Sequence, residues 1–192
     1  LYRIGILGGS FNPIHYGHLI IANNCINTFK LDRVFFIPAM NPLKESILPL
    51  HRYNMTKIAT YDNSLFEVLD IEIKQEKPCY TIDTINYLKN DYKNAEFFFI
   101  TGTDIIFSYE KWKDYDKLGN MIDFIVYKRS LNVTEEDKKR FLRLVKNVFF
   151  VDSPVIEISS SVIRDYIKKG YSIKYLLPDT VIDYIKENRL YL

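Results

Sequence analysis

The stretch YRIGILGGSFNPIHYGH, Tyr2–His18, joins an apolar run to a glycine-containing turn and then to the start of a helical pattern. Tyr2 to Leu7 reads as a strand, and from His18 to Phe29 apolar residues return at helical spacing. Strand, short turn and helix is the unit from which open α/β sheets are built. The same alternation continues outward. Strand-like runs follow at RVFFIPA from Arg33, FEVLDIEI from Phe66, AEFFFITG from Ala95, MIDFIVYK from Met121 and NVFFVD from Asn147. Several are continuously apolar, as in parallel strands covered on both faces. Helical spacing fills Leu50–Tyr61, Thr81–Tyr92 and Thr134–Val145. The pattern predicts an α/β fold with a doubly wound, Rossmann-like parallel sheet and helices on both faces. After Ser159 it changes to two helices, Ser159–Lys169 and Pro178–Asn188. These are expected to form a C-terminal helical tail, about residues 158–192, within a single domain spanning 1–192.

Composition narrows the function classes. The 192 residues are 47% hydrophobic and 15% aromatic, enough for a sizeable core. Twenty-six basic against 24 acidic residues leave a net charge of +2. That balance points away from nucleic acid and membrane partners. Cys25 and Cys79 match no CxxC or zinc spacing, and a chain of this length needs no disulfides, so a reducing cytoplasm fits. No run approaches the roughly 18 apolar residues of a membrane span, and no signal peptide is read. A chain that begins with Leu1 is expected to lack at least its initiator methionine. The basic run TEEDKKRFLRLVKN has a plausible N-cap at Thr134, acids in its first turn, and Phe141, Leu144, Val145 and Val148 at core-facing spacing. It reads as an ordinary amphipathic surface helix.

Gly8–His18 carries two of the three histidines at the place where an α/β sheet binds ligands, the carboxyl end of a strand. Gly8 and Gly9 are expected to allow close backbone approach and positive φ, Pro13 to stiffen the turn, and the following helix to offer its first N–H groups to an anion. The segment is neither a Walker loop nor a GxGxxG fingerprint. Spaced three apart, His15 and His18 are expected on one helical face, with Gly17 leaving room for the ligand. Two other readings stand beside the phosphate site: zinc ligands, although no third ligand is evident, and two histidines that only serve the structure.

A second segment, EISSSVIRDYI, has Ser159 as N-cap and Ile158 and Ile163 at the positions of a hydrophobic staple. Arg164 follows Ser161 and Ser160 by three and four residues. Its guanidinium can therefore share one anion site with their hydroxyls and the first-turn amides. The alternative is a capped helix with a solvated arginine.

At this point the residues resemble a known family. Gly8-Gly9-Ser10-Phe11-Asn12-Pro13-Ile14-His15-Tyr16-Gly17-His18 is similar to the first motif of the HxGH nucleotidyltransferase superfamily, and Ile158-Ser159-Ser160-Ser161-Val162-Ile163-Arg164 to its second. The Gly-Gly-Ser-Phe form most resembles the bacterial-type nicotinate-nucleotide adenylyltransferases. IPAMNPLK from Ile37, HRYNM from His51, YTIDT from Tyr80, TGTD with Trp112 downstream, VYKR from Val126 and LLPDTVIDYI from Leu176 extend the likeness along nearly the whole chain. Asn12 stands where the family often has Asp, Leu43 where it often has His, and Ser161 where Thr is commoner.

The resemblance implies transfer of the adenylyl group of ATP to nicotinate mononucleotide, giving the deamidated dinucleotide and pyrophosphate in NAD biosynthesis. It implies that His15 and His18 hold ATP phosphates and stabilise the transition state, and that Ser160, Ser161 and Arg164 grip the β and γ phosphates. Gly8, Gly9, Ser10 and Phe11 would form the ATP loop, Lys44 would add charge near the triphosphate, and Asp104 would accept from adenosine hydroxyls or cap the helix after its strand. Thr84 and Trp112 match positions that bind the pyridine ring. Mg²⁺ is expected as the companion of ATP, held by phosphate and water rather than by protein ligands. The competing readings are a phosphopantetheine adenylyltransferase, a cytidylyltransferase, or a non-catalytic nucleotide-binding module. Self-association is left open.

Overall fold

The computed structural model describes residues 1–40, 47–75, 79–128, 132–151 and 156–192. Six strands, β1 (Tyr2–Gly9), β2 (Arg33–Pro38), β3 (Phe66–Val68), β4 (Ala95–Gly102), β5 (Asp123–Tyr127) and β6 (Val148–Val151), form one all-parallel sheet in the order β3-β2-β1-β4-β5-β6. This is the doubly wound arrangement, and its strand order reverses between β1 and β4. Crossovers carry α1 (Tyr16–Phe29), α2 (Pro49–Thr60), α3 (Thr81–Asp91), α4 (Ile105–Ser108), α5 (Tyr115–Met121) and α6 (Glu135–Leu142). The helices α7 (Ser160–Lys168) and α8 (Asp179–Glu187) follow the sheet.

The apolar strand runs work because consecutive residues take opposite faces. Val34, Phe36, Phe98, Ile100 and Ile125 join one buried cluster with Ala22 and Cys25 of α1, Met55 of α2, Ile163 of α7 and Val181, Ile182 and Ile185 of α8. Ile4, Ile6, Phe35, Ile37, Phe97, Phe99, Phe124 and Val126 join the other with Ile82, Ile85 and Leu88 of α3 and Phe141 of α6. The C-terminal helices therefore complete the core on one face of the sheet. Thr134 caps α6 as expected, its hydroxyl accepting from the Asp137 N–H at 3.1 Å while the Thr134 N–H donates to the Asp137 carboxylate at 3.0 Å.

Two expectations change, and one crossover holds elements that were not expected. The strand from Phe66 stops at Val68 rather than running to Ile73, because Leu69 makes the last bond to β2, at the Phe36 carbonyl, and β2 itself ends at Pro38, which has no N–H to donate. The α6 helix ends at Leu142, before Leu144 and Val145, and Val148 belongs to β6. The β4–β5 crossover holds two short helices and a 3₁₀ turn, Tyr109–Lys111, too short to show a period in the sequence.

Burial pushes the Cys25 thiol from 9.0 up to about 12. Folding thus favours the neutral thiol, so its contribution is intact below pH 9 and is lost as pH rises from 9 toward 12, where only the unfolded chain ionises first. Urea unfolding at pH 8 and pH 10.5 should show a larger loss of stability in the native chain than in Cys25→Ala. Equal losses in the two would remove Cys25 as the cause.

Candidate active site

The loop after β1 is built differently from its sequence expectation. Gly8 and Gly9 are still strand, in register with Ile37 and Pro38, and neither has positive φ. The left-handed residue is Phe11, at φ 44. Such a backbone costs an L-residue roughly 1–2 kcal/mol. Its ring is 1% exposed, edge-on to His18 at 5.0 Å and tilted against Phe36 at 5.9 Å. With its side chain in the core, Phe11 has only its backbone to give a ligand. A Cβ on Gly9 would stand 3.2 Å from the Phe11 ring, a tight contact that the ring would have to yield to.

Distant side chains hold this loop by its carbonyls. Arg164 Nη1 donates to the Asn12 carbonyl at 2.7 Å, Ser160 Oγ to the Pro13 carbonyl at 2.8 Å, and Arg52 Nη1 to the Ser10 carbonyl at 2.8 Å. The Tyr191 hydroxyl donates to Asn12 Oδ1 at 2.7 Å, across 179 positions of sequence. Asn12 therefore serves as an anchor, and the carbonyl oxygen it shares with aspartate makes the contact.

The helix α1 starts at Tyr16, with His15 outside it as N-cap at φ −150 and ψ 170. The histidines accordingly meet across a helix end rather than along one face. Their rings stack at 3.8 Å with an interplanar angle of 28°. The His15 N–H donates to His18 Nδ1 at 3.3 Å, which assigns the His18 proton to Nε2. Gly17 is not an opening for ligand alone: a Cβ would lie 2.9 Å from His15 Nδ1, so the His15 ring requires its absence.

The second motif folds as read. The Ser159 hydroxyl accepts from the Val162 N–H at 3.3 Å, Ile163 is fully buried, and Ile158 packs against the same cluster. Arg164 Nη2 comes within 3.4 Å of Ser161 Oγ, uniting the two as expected. Ser160 differs, since its hydroxyl proton goes to Pro13 and serves the first loop.

Gly8, Gly9, Ser10, His15, His18, Asp104 and Ser160 share the wall of one cavity of about 550 Å³ at the carboxyl ends of β1 and β4, where the strand order reverses. Phe11, Ser161 and Arg164 do not line it; Phe11 is buried, and Arg164 reaches the first loop at the Asn12 carbonyl. Asp104 stands at the N-cap position of α4, but its side chain does not cap that helix. Tyr127, Glu157 and Ile158 also line the cavity without having been read as site residues. Lys44 lies outside the described residues.

Thr84 lines a second cavity, of about 560 Å³, with Tyr80, Asp83, Tyr87 and Lys113. Both of its donors are engaged: the hydroxyl donates to Glu72 Oε1 at 2.7 Å and the N–H to the Tyr80 carbonyl at 3.2 Å. Burial pushes the Glu72 carboxyl up, opposed by that hydroxyl, by the Met40 N–H and by the charge of Arg52. Trp112 does not line this cavity. It is half-buried, edge-on to Phe99 at 5.6 Å and tilted against Tyr109 at 5.8 Å, while its neighbour Lys113 supplies the wall. Thr84 and Trp112 are therefore not on one wall, although they flank the same region.

The cytidylyltransferase-like family model matches residues 6–166. A relative from Dictyoglomus turgidum, named as a probable nicotinate-nucleotide adenylyltransferase, is 44% identical over 98% of this chain and 95% of its own. One of the same name from Bacillus licheniformis is 42% identical over 98% of each. This chain belongs to the nicotinate-nucleotide adenylyltransferase family. A solved family structure, the Plasmodium falciparum nicotinic acid mononucleotide adenylyltransferase complexed with NaAD, superposes with a TM-score of 0.86 at 25% identity, covering 100% of this chain and 98% of that one. The same parasite enzyme complexed with APC gives 0.84 at the same identity. Membership makes the protein a nucleotidyltransferase with the Rossmann-like sheet described above. No described helix is long and apolar enough to cross a membrane.

Proposed function

We propose that this adenylyltransferase joins ATP to nicotinate mononucleotide, forming nicotinate adenine dinucleotide and pyrophosphate in NAD biosynthesis, with the cavity between β1 and β4 as the ATP site. The observation that carries the assignment is the meeting of both anion motifs at that cavity in a chain that matches the family along its length.

The chemistry asks little of the protein beyond placement. The attacking phosphate of the mononucleotide is largely dianionic at neutral pH, its second pKa being about 6, so no general base is needed. Its oxygen forms a bond to the α-phosphorus of ATP as the bond to the leaving pyrophosphate breaks, and the electron pair departs with pyrophosphate. In-line alignment and neutralisation of charge on the transferring group account for the catalysis. His18, carrying its proton on Nε2, donates to the α-phosphate. His15 and the first amides of α1 complete that site, while Arg164, Ser161 and the N-terminus of α7 receive the β and γ phosphates. Phe11 contributes its backbone amide beside Gly8, Gly9 and Ser10. Asp104 accepts from adenosine hydroxyls, and Lys44 adds charge at the triphosphate.

The acceptor takes the side of α3 and the Trp112–Lys113 turn, where Thr84 and Lys113 border one cavity. A nicotinate carboxylate would receive the Thr84 hydroxyl proton only by displacing Glu72, and would meet Lys113, the cation among the described residues lining that cavity, in competition with Asp83, which pairs with it at 3.2 Å. Mg²⁺ enters with ATP as part of the substrate. Among the described residues no three His, Cys, Asp or Glu side chains gather to hold a metal, and a hard cation in such a site keeps phosphate and water oxygens as ligands. Neither Cys25 nor Cys79 is in a disulfide, which suits a reducing cytoplasm. Residues 1–192 act as one domain, since α7 and α8 share the core of the sheet.

Pyrophosphate release from Mg-ATP should be strong with nicotinate mononucleotide, weaker with nicotinamide mononucleotide and absent with phosphopantetheine, the product being identified by mass. Release with phosphopantetheine alone would keep the ATP site and overturn the acceptor.

A further inference from the structure

We infer that Arg52, which belongs to neither anion motif, is a positioning residue for adenylyl transfer: it and Arg164 bracket the left-handed residue Phe11 by its two flanking carbonyls and so fix the backbone of the ATP loop. The inference rests on the function proposed above and concerns how its ATP site is held. Arg52, on α2, is fully buried, and its hydrogen bonds run to carbonyls: Nη1 to Ser10 at 2.8 Å, Nη2 to Ala39 at 2.6 Å and to Met40 at 3.3 Å. Its Nε is buried with no hydrogen-bond partner. Glu72 feels its charge, but among the described residues no carboxylate forms an ion pair with it; for packing alone, an apolar side chain of similar shape would fill the volume without desolvating charge. What the guanidinium supplies is geometry. Its fork ties the loop after β1 to the loop after β2, whose parallel ends are already joined by the Ala39 N–H donating to the Gly9 carbonyl at 2.9 Å.

Phe11 lies between the two contacts. Arg52 holds the Ser10 carbonyl on one side and Arg164 the Asn12 carbonyl on the other. A non-glycine residue at positive φ persists where its surroundings over-determine it, and such positions cluster at ligand sites. The Ser10–Phe11 peptide is trans, so the Phe11 N–H points opposite to the carbonyl that Arg52 holds. Arg52 thus sets the direction of the one group Phe11 can offer ATP. The fork reaches further: the Met40 N–H donates to Glu72, whose Oε1 accepts from the Thr84 hydroxyl, linking the ATP loop to the acceptor side.

The test compares Arg52→Met with Phe141→Leu, a core change in the opposite cluster, each corrected for folded fraction by denaturant titration. Calorimetric Kd for ATP and the separate KM values and kcat are then measured. In Arg52→Met, the Kd and KM for ATP should rise about tenfold and kcat should fall tenfold or more, with KM for nicotinate mononucleotide within threefold. Phe141→Leu should leave all four constants within twofold per folded molecule. Arg52→Lys, which keeps the charge but not the fork, should fall between Arg52→Met and the native chain. Unchanged ATP affinity and kcat in folded Arg52→Met would overturn the inference. Should that variant not fold, unchanged values in Arg52→Lys would do the same. If the native chain fails to use nicotinate mononucleotide, the function proposal falls, while the ATP Kd comparison still decides the bracket.

Discussion

Replacing His18 by alanine should lower turnover on Mg-ATP and nicotinate mononucleotide by about 10²–10³-fold, the usual consequence of removing one donor aimed at a developing oxyanion. The side chain combines the features such a donor needs. It is half-buried at the third position of α1, its ring is locked by the stack on His15 at 3.8 Å and the edge of Phe11 at 5.0 Å, and its Nδ1 is occupied by the His15 N–H. A ring so held presents Nε2–H without paying rotamer entropy on each turnover. Folding should survive, because alanine favours the helix more than histidine does and the position is not part of the buried core. Steady-state pyrophosphate release read beside a thermal melt separates the two effects. A folded His18→Ala enzyme with turnover within threefold of the native chain would retire the electrostatic role.

Arg164→Leu should be at least as damaging, losing about 10³-fold in kcat/KM for ATP, because one change removes a phosphate ligand and a loop anchor together. Its Nη1 satisfies the Asn12 carbonyl at 2.7 Å, and Asn12 is buried, so leucine would leave that carbonyl short of a partner. Arg164→Lys should recover less than tenfold of the loss, since an ammonium cannot reproduce a fork that meets Asn12 and Ser161 at once. Rates measured across ATP at saturating nicotinate mononucleotide check both variants. Full recovery by lysine would show that charge alone matters and that the loop contact does not. The contrast with Arg52 is instructive: Arg164 touches the phosphates in the proposed mechanism, whereas Arg52 acts only through the loop.

Much of this was readable because it is local. Consecutive apolar residues in Phe97–Ile100 require two covered faces, and the helical stretches between strands carry their own period, so the α/β alternation follows from short-range pattern. The caps at Ser159 and Thr134 were legible for the same reason, being interactions within three residues. Gly8, Gly9, His15, His18, Ser160 and Arg164 could be named as candidates from their types, since anion binding draws on a small set of groups, and all but Arg164 line the cavity. Their roles were less legible. Ser160 turned out to serve Pro13, Gly17 to accommodate His15, and Thr84 to serve Glu72. A donor's type shows that it must find an acceptor, and only its neighbours decide which.

Residues 2–29 carry in their own order the strand, the turn and the helix, because backbone hydrogen bonding and side-chain period act over a few positions. The conformation of the turn itself was settled elsewhere. Two adjacent glycines stayed in the strand while Phe11 took the left-handed backbone, since its ring had a place against Phe36 and its flanking carbonyls met Arg52, 42 residues from Ser10, and Arg164, 152 from Asn12. Local propensity argues for glycine at such a position. Burial of an aromatic ring and satisfaction of carbonyls by groups from α2, α7 and the C-terminal turn outweighed it, and those partners are brought within reach only when the sheet closes its core.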